Sequence, residues 1–179
     1  MQKENFSQGY IQIYTGNGKG KTTAAIGQAV RAAGFGLKTY IAQFMKEFPY
    51  NELESLKHLN DWITIEQFGG DEFVYKKELP GEDEIKKAAK GLNEIKKNML
   101  SGEYNIIIMD EVCVSVYFGL FSANDVLKII EQKPKNVELI LTGRYCPNEV
   151  LEKADLITEM KEIKHYYGKG ITSRRGIES

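Results

Sequence analysis

The sequence has little cysteine, little net charge and no long apolar run. Its two cysteines, Cys113 and Cys146, belong to no C-x-x-C pair, which argues against a disulfide framework or a cysteine metal site and fits a reducing compartment. A net charge of −1 supplies no overall attraction to nucleic acid or to a membrane surface. No apolar stretch approaches the length of a transmembrane helix, and residues 1–6 lack the apolar core of a signal peptide. These absences predict a cytoplasmic protein.

The length and composition predict one globular domain over residues 1–179. The chain has 179 residues, of which 42% are hydrophobic and 27% are charged, as is ordinary for a globular protein with a real core. It shows no internal repeat and no low-complexity linker that would mark a boundary between domains.

The most informative stretch is T-G-N-G-K-G-K-T-T at residues 15–23. An alternating run at residues 10–14 precedes it and predicts a strand, and an alanine-rich run at 24–30 follows it and predicts a helix. A glycine-rich turn between a strand and a helix exposes backbone N–H groups and a helix N-terminus, and together these bind phosphate. Lys21 can reach a phosphate oxygen, and the Thr22 hydroxyl stands where a magnesium ion binds.

The stretch departs from the phosphate-loop pattern G-x-x-x-x-G-K-[ST] at one position. Thr15 stands where the pattern has its first glycine, and Lys19 adds a further cation. The alternative interpretation is an ordinary glycine-rich turn with adjacent lysines. The strand and helix on either side favour a nucleoside triphosphate site, formed by Gly16, Asn17, Gly18, Lys19, Gly20, Lys21, Thr22 and Thr23.

The remaining patterns alternate between strands and helices. Further strands are predicted over residues 38–44, 62–68, 105–109, 137–141 and 156–160, with a loop at 69–75. Helices are predicted at 51–59, where Asn51 and Glu54 resemble a capping box, from Ile85 to Met99, and after Ser122 with Asp125. This alternation predicts an α/β fold of three layers around a mostly parallel sheet, of the P-loop NTPase (RecA-like) type.

Two acidic residues, Asp110 and Glu111, follow the apolar strand at 105–109. Ligands of parallel sheets bind beyond the carboxyl ends of the strands, where residues 43–46 and 142–144 are also expected. The two acids are therefore predicted to hold magnesium, or its waters, together with Thr22. The alternative is a pair of acids at a strand end that faces solvent.

Several segments together resemble the phosphate-loop ATP:corrinoid adenosyltransferases. The family's loop reads T-G-x-G-K-G-K-T-T-A-A, which matches residues 15–25 and includes the threonine that breaks the general pattern. Further matches keep their order to the end of the chain: R-A-x-G-x-G at 31–36, Q-F-x-K at 43–46, D-E at 110–111, L-T-G-R at 141–144, A-D-L-I-T-E-M at 154–160, K-H at 164–165 and G-I-E at 176–178. The chain departs from the family at Glu47, Tyr75 and Ser179, and only about nine residues precede the first strand where many members carry a longer basic segment.

The resemblance implies transfer of the 5′-deoxyadenosyl group of ATP to the cobalt of a reduced corrinoid, with release of triphosphate. It implies Mg²⁺, a flavoprotein electron donor and a homodimer, with ATP reversed relative to other phosphate-loop enzymes. Cobalt(I) is itself the nucleophile, so no general base is needed, which agrees with a chain of two histidines. Lys21, Thr22 and Glu111 are the expected catalytic residues. Arg31, Arg144, Phe73 and Tyr75 are the further residues expected to bind nucleotide or corrinoid.

Two other functions remain open. A phosphate-loop kinase or NTPase would need a residue to position a hydroxyl group or a water, and Glu111 could serve. A RecA-like module gated by nucleotide would bind nucleic acid, but basic and aromatic residues mix only in the tail at 161–175. That tail alone predicts a solvated basic segment, whereas the resemblance favours contact with nucleotide or corrinoid.

Overall fold

The computed structural model describes residues 7–47, 50–76 and 78–178, without the side chains of Tyr75 and Lys76. Its strands are β1 (Ile11–Thr15), β2 (Thr39–Phe44), β3 (Ile63–Phe68), β4 (Ile106–Asp110), β5 (Glu138–Thr142) and β6 (Leu156–Glu159). Its α-helices are α1 (Lys21–Phe35), α2 (Asn51–Leu56), α3 (Glu72–Lys76), α4 (Glu82–Leu100), α5 (Val112–Tyr117), α6 (Ala123–Glu131) and α7 (Asn148–Leu151), with 3₁₀ turns at Lys57–Leu59 and Tyr166–Lys169. None of the helices described is both long enough and apolar enough to cross a bilayer.

The strands form one sheet in the order β3-β2-β4-β5-β1-β6. Every pairing in it is parallel. β5 lies between β1, which leads into the glycine-rich loop, and β4, which ends in Asp110. The predicted α/β fold of the P-loop NTPase type is confirmed, and the sheet is parallel throughout the described strands.

Helices cover both faces of the sheet, because the strands bury apolar side chains on alternate sides. In β4, Ile106 and Ile108 pack in the cluster that contains the alanines of α1, whereas Ile107 and Met109 pack with residues of α4, α5 and α6. Burying each of these side chains contributes about 1.5–3 kcal/mol relative to leaving it exposed. The predicted three layers are therefore present.

Some local predictions were wrong. The Asn51–Glu54 capping box is not formed, because α2 already begins at Asn51 and Tyr50 takes the preceding position. Residues 72–76 form the helix α3 inside the segment predicted as a loop. The helix predicted after Ser122 with Asp125 is confirmed as α6, and these two residues form both reciprocal hydrogen bonds of a capping box.

The helical periodicity of α4 gives the correct face but not the full extent of burial. Ala88, Ile95 and Met99 are buried, whereas Ile85 is 41% exposed. Periodicity defines the side of a helix that meets the sheet, and it does not define the turn at which that contact begins.

Candidate active site

A cavity of about 680 Å³ lies at the carboxyl ends of the strands, the edge at which parallel sheets bind ligands. It falls in the size range of small-molecule sites. Its walls come from the loop and the start of α1 (residues 18–23), from Lys46, Glu111 and Arg144, from the start of α2, and from tail residues between His165 and Glu178.

The glycine-rich loop follows the backbone of residue 160 closely. The Gly18 N–H donates to the Met160 carbonyl at 2.6 Å, and a Cβ atom at Gly18 would lie 2.6 Å from that same oxygen. Gly20 has φ 118° immediately before α1, a conformation that side chains disfavour. Thr15 needs no such freedom, because it still belongs to β1 and pairs with Glu159. The departure from the general loop pattern therefore lies outside the turn itself.

Lys21 is the first residue of α1, and its side chain turns back over the loop. It is only 6% exposed, and its Nζ donates to the Gly18 carbonyl at 2.7 Å. Burial lowers the pKa of Lys21, while the negative charge of Glu111 opposes that shift. The lysine is thus held inside the loop, where a bound phosphate would meet it.

Asp110 accepts hydrogen bonds from four different side chains. It is 1% exposed. Its Oδ1 accepts from the hydroxyl groups of Thr22 at 2.8 Å and Thr142 at 2.7 Å. Its Oδ2 accepts from Lys46 Nζ at 2.8 Å and from Gln43 Nε2 at 3.1 Å. Burial alone would raise the pKa of Asp110, but the charge of Lys46 and the hydroxyl donors outweigh it, so the carboxylate is ionised.

Glu111 differs from its neighbour in both backbone and environment. Its φ is 60°, a left-handed conformation that costs about 1–3 kcal/mol for a residue with a Cβ atom. Its N–H donates to Thr142 Oγ1 at 2.9 Å, and the residue lines the cavity. Burial and the nearby charge of Asp110 raise the pKa of Glu111. Of the two predicted acids, Asp110 lies beneath the loop and Glu111 faces the cavity.

The donor set fits a divalent ion that arrives with a phosphate ligand. The Thr22 hydroxyl gives its hydrogen to Asp110, so its lone pairs can take a cation, and the Lys46 ammonium group donates to this oxygen at 3.3 Å. Mg²⁺ keeps several waters and needs only one or two carboxylates beside substrate phosphates. The described residues contain no cluster of three or more His, Cys, Asp or Glu side chains suited to a metal ion. Thr22 and Asp110 thus offer the few protein oxygens that an ion bound to a nucleotide needs.

The tail lies against the loop rather than extending into solvent. Lys19 Nζ donates to the Ile177 carbonyl at 2.6 Å and lies 3.7 Å from Glu178 Oε1. The Tyr166 hydroxyl and the Arg174 guanidinium both donate to Glu178. These bonds lower the pKa of Glu178 to about 2, so the carboxylate is ionised. The predicted basic tail thus forms one wall of the cavity.

Comparison with known proteins identifies the family. Residues 7–179 match the family described as ATP:corrinoid adenosyltransferase BtuR/CobO/CobP. The chain belongs to this family. It is 31% identical to the corrinoid adenosyltransferase of Escherichia coli K12 over 173 residues, which are 96% of this chain and 86% of that protein. The Salmonella typhimurium LT2 protein of the same name is 30% identical over 96% of this chain and 86% of its own length. That of Sinorhizobium sp. is 29% identical over 99% and 84%.

The resemblance inferred from the sequence is therefore confirmed, and with it the class of enzyme. The family consists of transferases whose substrates are ATP and a corrinoid. Of the predicted binding residues, Gly18, Lys19, Gly20, Lys21, Thr22, Thr23, Glu111 and Arg144 line the cavity.

Other predicted residues lie elsewhere. Arg31 is exposed on α1, and Asn17 is exposed within the loop; neither is among the described residues that line the cavity, and nor is Gly16. Phe73 is 5% exposed, and its ring packs edge-on against Phe118 with centroids 5.9 Å apart. The side chain of Tyr75 lies outside the described part of the chain.

The sequence predicts residues 43–46 and 142–144 at this edge of the sheet but assigns no partner to Lys46, Gln43 or Thr142. In the structure all three bond to Asp110. The available signal was position, because each follows or ends a strand at the same edge of the sheet. In the parallel register Gln43 of β2 stands opposite Asp110 of β4, and such pairings between distant segments are not readable from local patterns.

Proposed function

We propose that this protein transfers the 5′-deoxyadenosyl group of ATP to the cobalt of a reduced corrinoid and releases triphosphate. Membership of the adenosyltransferase family supports both substrates. The observation that carries the proposal is the hydrogen bond from Thr22 to Asp110 beneath the glycine-rich loop, at the wall of the cavity of about 680 Å³. It joins a phosphate-binding turn to the acid at the end of β4.

The proposed step is an in-line displacement. Cobalt(I) donates an electron pair to C5′ and forms the cobalt–carbon bond, while the C5′–O bond breaks and its electron pair leaves with the triphosphate. Because the metal of the substrate is the nucleophile, the protein needs no general base. Its tasks are to hold C5′ in line with cobalt and to stabilise the charge on the leaving group. The loop N–H groups, Lys19, Lys21 and Arg144 are suited to the second task.

We infer that Mg²⁺ accompanies the nucleotide and is held by Thr22, Asp110 and Glu111. When bound, the ion neutralises charge on the phosphate oxygens. Thr22 lines the cavity, and its hydroxyl group is oriented by the hydrogen bond that it donates to Asp110. Glu111 follows Asp110 at the same strand end and lines the cavity, where its carboxylate is suited to the ion or its waters.

We propose that the nucleotide is also bound by Gly16, Asn17 and Arg31, in the loop and on α1. We propose that the corrinoid contacts the rings of Phe73 and Tyr75. We propose that residues 1–179 form one domain and that the protein works in the cytoplasm. The free state of Cys113 and Cys146 supports a reducing compartment, which cobalt(I) chemistry also requires.

We also propose a flavoprotein electron donor and a homodimer. The donor follows from the family resemblance and from the need to reduce cobalt. For the dimer, the support is the edge strand β6, where Leu156 and Ile157 are 46% and 50% exposed. An exposed apolar edge strand is a site at which another chain can pair. Sedimentation of the wild type and of Leu156→Lys tests the dimer. If the protein dimerises through β6, the variant should sediment as a smaller species than the wild type.

The experiment that tests the activity incubates the protein with ATP, Mg²⁺ and chemically reduced cobalamin. The expected result is conversion of the corrinoid spectrum to that of an alkylated corrinoid, with one inorganic triphosphate released per turnover. ADP and phosphate without corrinoid alkylation would establish a kinase or NTPase instead. Stimulation of ATP turnover by a polynucleotide would indicate a nucleic-acid-binding module.

A further inference from the structure

Lys46 occupies the place where a divalent ion would meet Thr22 and Asp110. Its Nζ lies 2.8 Å from Asp110 Oδ2 and 3.3 Å from Thr22 Oγ1. The lysine is 8% exposed and still forms part of the cavity wall. The Thr22 hydroxyl donates to Asp110, so the Lys46 ammonium takes the lone-pair side of Thr22, which is the side a cation would use.

A turn in the backbone at Met45 precedes Lys46 and directs the chain toward Thr22 and Asp110. Met45 has φ 54°, a left-handed conformation that residues with a Cβ atom seldom adopt, and its side chain is 8% exposed. This turn directly follows the end of β2 at Phe44. Strained backbone that persists beside a ligand site is commonly part of how that site works.

Two further groups that attract the ammonium group lie close to it. Lys46 Nζ is 5.1 Å from the centre of the Tyr50 ring and 3.9 Å from Glu52 Oε1. An aromatic face and a carboxylate both attract a lysine cation. Tyr50 and Glu52 also line the cavity, so a lysine displaced from Asp110 would remain beside the ligand.

We propose that Lys46 is a tethered cation that holds the divalent-ion position at Thr22 and Asp110 until the metal–nucleotide complex displaces it. Before the ion binds, the ammonium group neutralises the buried carboxylate. When the ion binds, Lys46 moves toward Tyr50 and Glu52 and adds positive charge beside the triphosphate. The proposal rests on the proposed function, since it assumes that the cavity takes a triphosphate with its ion.

The test compares Mn²⁺ binding to the protein–ATP complex, followed by electron paramagnetic resonance, in the wild type and in Lys46→Met. Methionine has similar length and no charge, so the ion no longer competes with an ammonium group. Because like charges in contact are strongly unfavourable, Mn²⁺ affinity should rise roughly tenfold or more in Lys46→Met. Lys46→Arg keeps the charge and should bind Mn²⁺ with wild-type affinity or weaker.

A second measurement separates this role from ordinary packing. Without nucleotide, Lys46→Met leaves Asp110 uncompensated, so its melting temperature should fall in EDTA and recover when Mg²⁺ is added. Lys133→Met is the matched control, since Lys133 Nζ bonds the backbone carbonyls of Gly9 and Val137 at the opposite edge of the sheet. Lys133→Met should also lower the melting temperature, but addition of Mg²⁺ should not raise it again. Should Lys46→Met fail to fold, Lys46→Gln serves both measurements.

Unchanged or weaker Mn²⁺ affinity in the neutral variants would overturn the proposal, because it would make Lys46 a partner of the ion rather than its competitor. Equal recovery by Mg²⁺ in the Lys46 and Lys133 variants would overturn it as well. A wild type that binds neither ATP nor Mn²⁺–ATP would instead refute the proposed function, and this inference with it.

Discussion

The hydroxyl group of Thr22 donates a 2.8 Å hydrogen bond to Oδ1 of Asp110, across 88 residues of sequence. This bond connects the start of α1 to the end of β4, although β5 lies between β1 and β4 in the sheet. Because Thr142 of β5 donates to the same oxygen at 2.7 Å, one buried carboxylate orders the ends of neighbouring elements. The geometry of the phosphate loop therefore depends on residues far from it in sequence.

Lys21→Ala and Thr22→Ala should each reduce adenosyltransfer about a hundredfold or more, because each removes a preorganised electrostatic contact to the triphosphate or its ion. Initial rates with ATP and reduced cobalamin measure the loss. Thr22→Ser keeps the hydroxyl group and its bond to Asp110, and it should retain most of the activity. Turnover near that of the wild type in both alanine variants would exclude the phosphate-loop role.

Asp110→Asn and Glu111→Gln should both raise the Mg²⁺ concentration needed for half-maximal activity, by about tenfold or more. Each change removes a negative charge near the ion and preserves side-chain size. Asp110→Asn should have the larger effect, since Asp110 orients the Thr22 hydroxyl and is bonded to Lys46. Activity that falls by the same factor at low and at saturating Mg²⁺ would argue against a metal role for either acid.

Phe73→Ala should separate two ways of supplying the corrinoid. If the ring excludes an axial ligand from cobalt, the variant should work with preformed cobalt(I) and fail with cobalt(II) and a flavoprotein reductant, because an axial donor makes cobalt harder to reduce. Tyr75→Ala should show the same pattern more weakly. Assays in parallel under the two conditions give the ratio of the activity with cobalt(II) and reductant to the activity with preformed cobalt(I).

The matched control for Phe73→Ala is Phe121→Ala, which removes a ring that packs on Phe44 with centroids 5.2 Å apart. Losing a packed ring destabilises a fold by about 3–5 kcal/mol, so both variants should have lower melting temperatures. Only Phe73→Ala should change the ratio of the two activities. An equal ratio in both variants would leave Phe73 as a packing residue beside Phe118.

Gly91→Ala in α4 should destabilise the protein by about 1–3 kcal/mol, despite the better helix propensity of alanine. A Cβ atom there would lie 2.6 Å from the Phe44 ring and 2.8 Å from the Phe68 ring. Gly27→Ala in α1 meets nothing within 4 Å and should stabilise the fold by about 0.5–1 kcal/mol. Urea denaturation measures both, and two shifts of the same sign would contradict the close approach of α4 to the sheet.

Much of the fold was predictable, because its main signals are local. The apolar run before Asp110 predicts a buried parallel strand, and β4 is that strand, from Ile106 to Asp110. The start of helix α6 follows from a local pattern of four residues, Ser122 to Asp125. The short helices α3, α5 and α7 were missed, since each has six or fewer residues and too few turns to show a period.

The sequence predicts many of the residues of the candidate site but only some of the contacts among them. The loop, Asp110 and Glu111 follow from motif and strand position. That Lys46 would contact Asp110 required both the register of β2 against β4 and the turn at Met45, which are tertiary features. For Phe73 the resemblance predicts a corrinoid contact, and the structure adds a packing contact with Phe118 that no local pattern shows.

The position of β1 in the sheet has a consequence for biosynthesis. β1 is translated first among the strands, yet its hydrogen-bonded neighbours are β5 and β6, the last two. A ribosome adds about 5–20 residues per second, so β1 remains for several seconds without a neighbouring strand to pair with. Nascent chains halted before Glu138 cannot form either ladder of β1 and should not retain ATP. The nucleotide site, whose loop comes before β2 to β6 in the chain, is therefore completed only when translation has passed β6 and the tail that covers the loop.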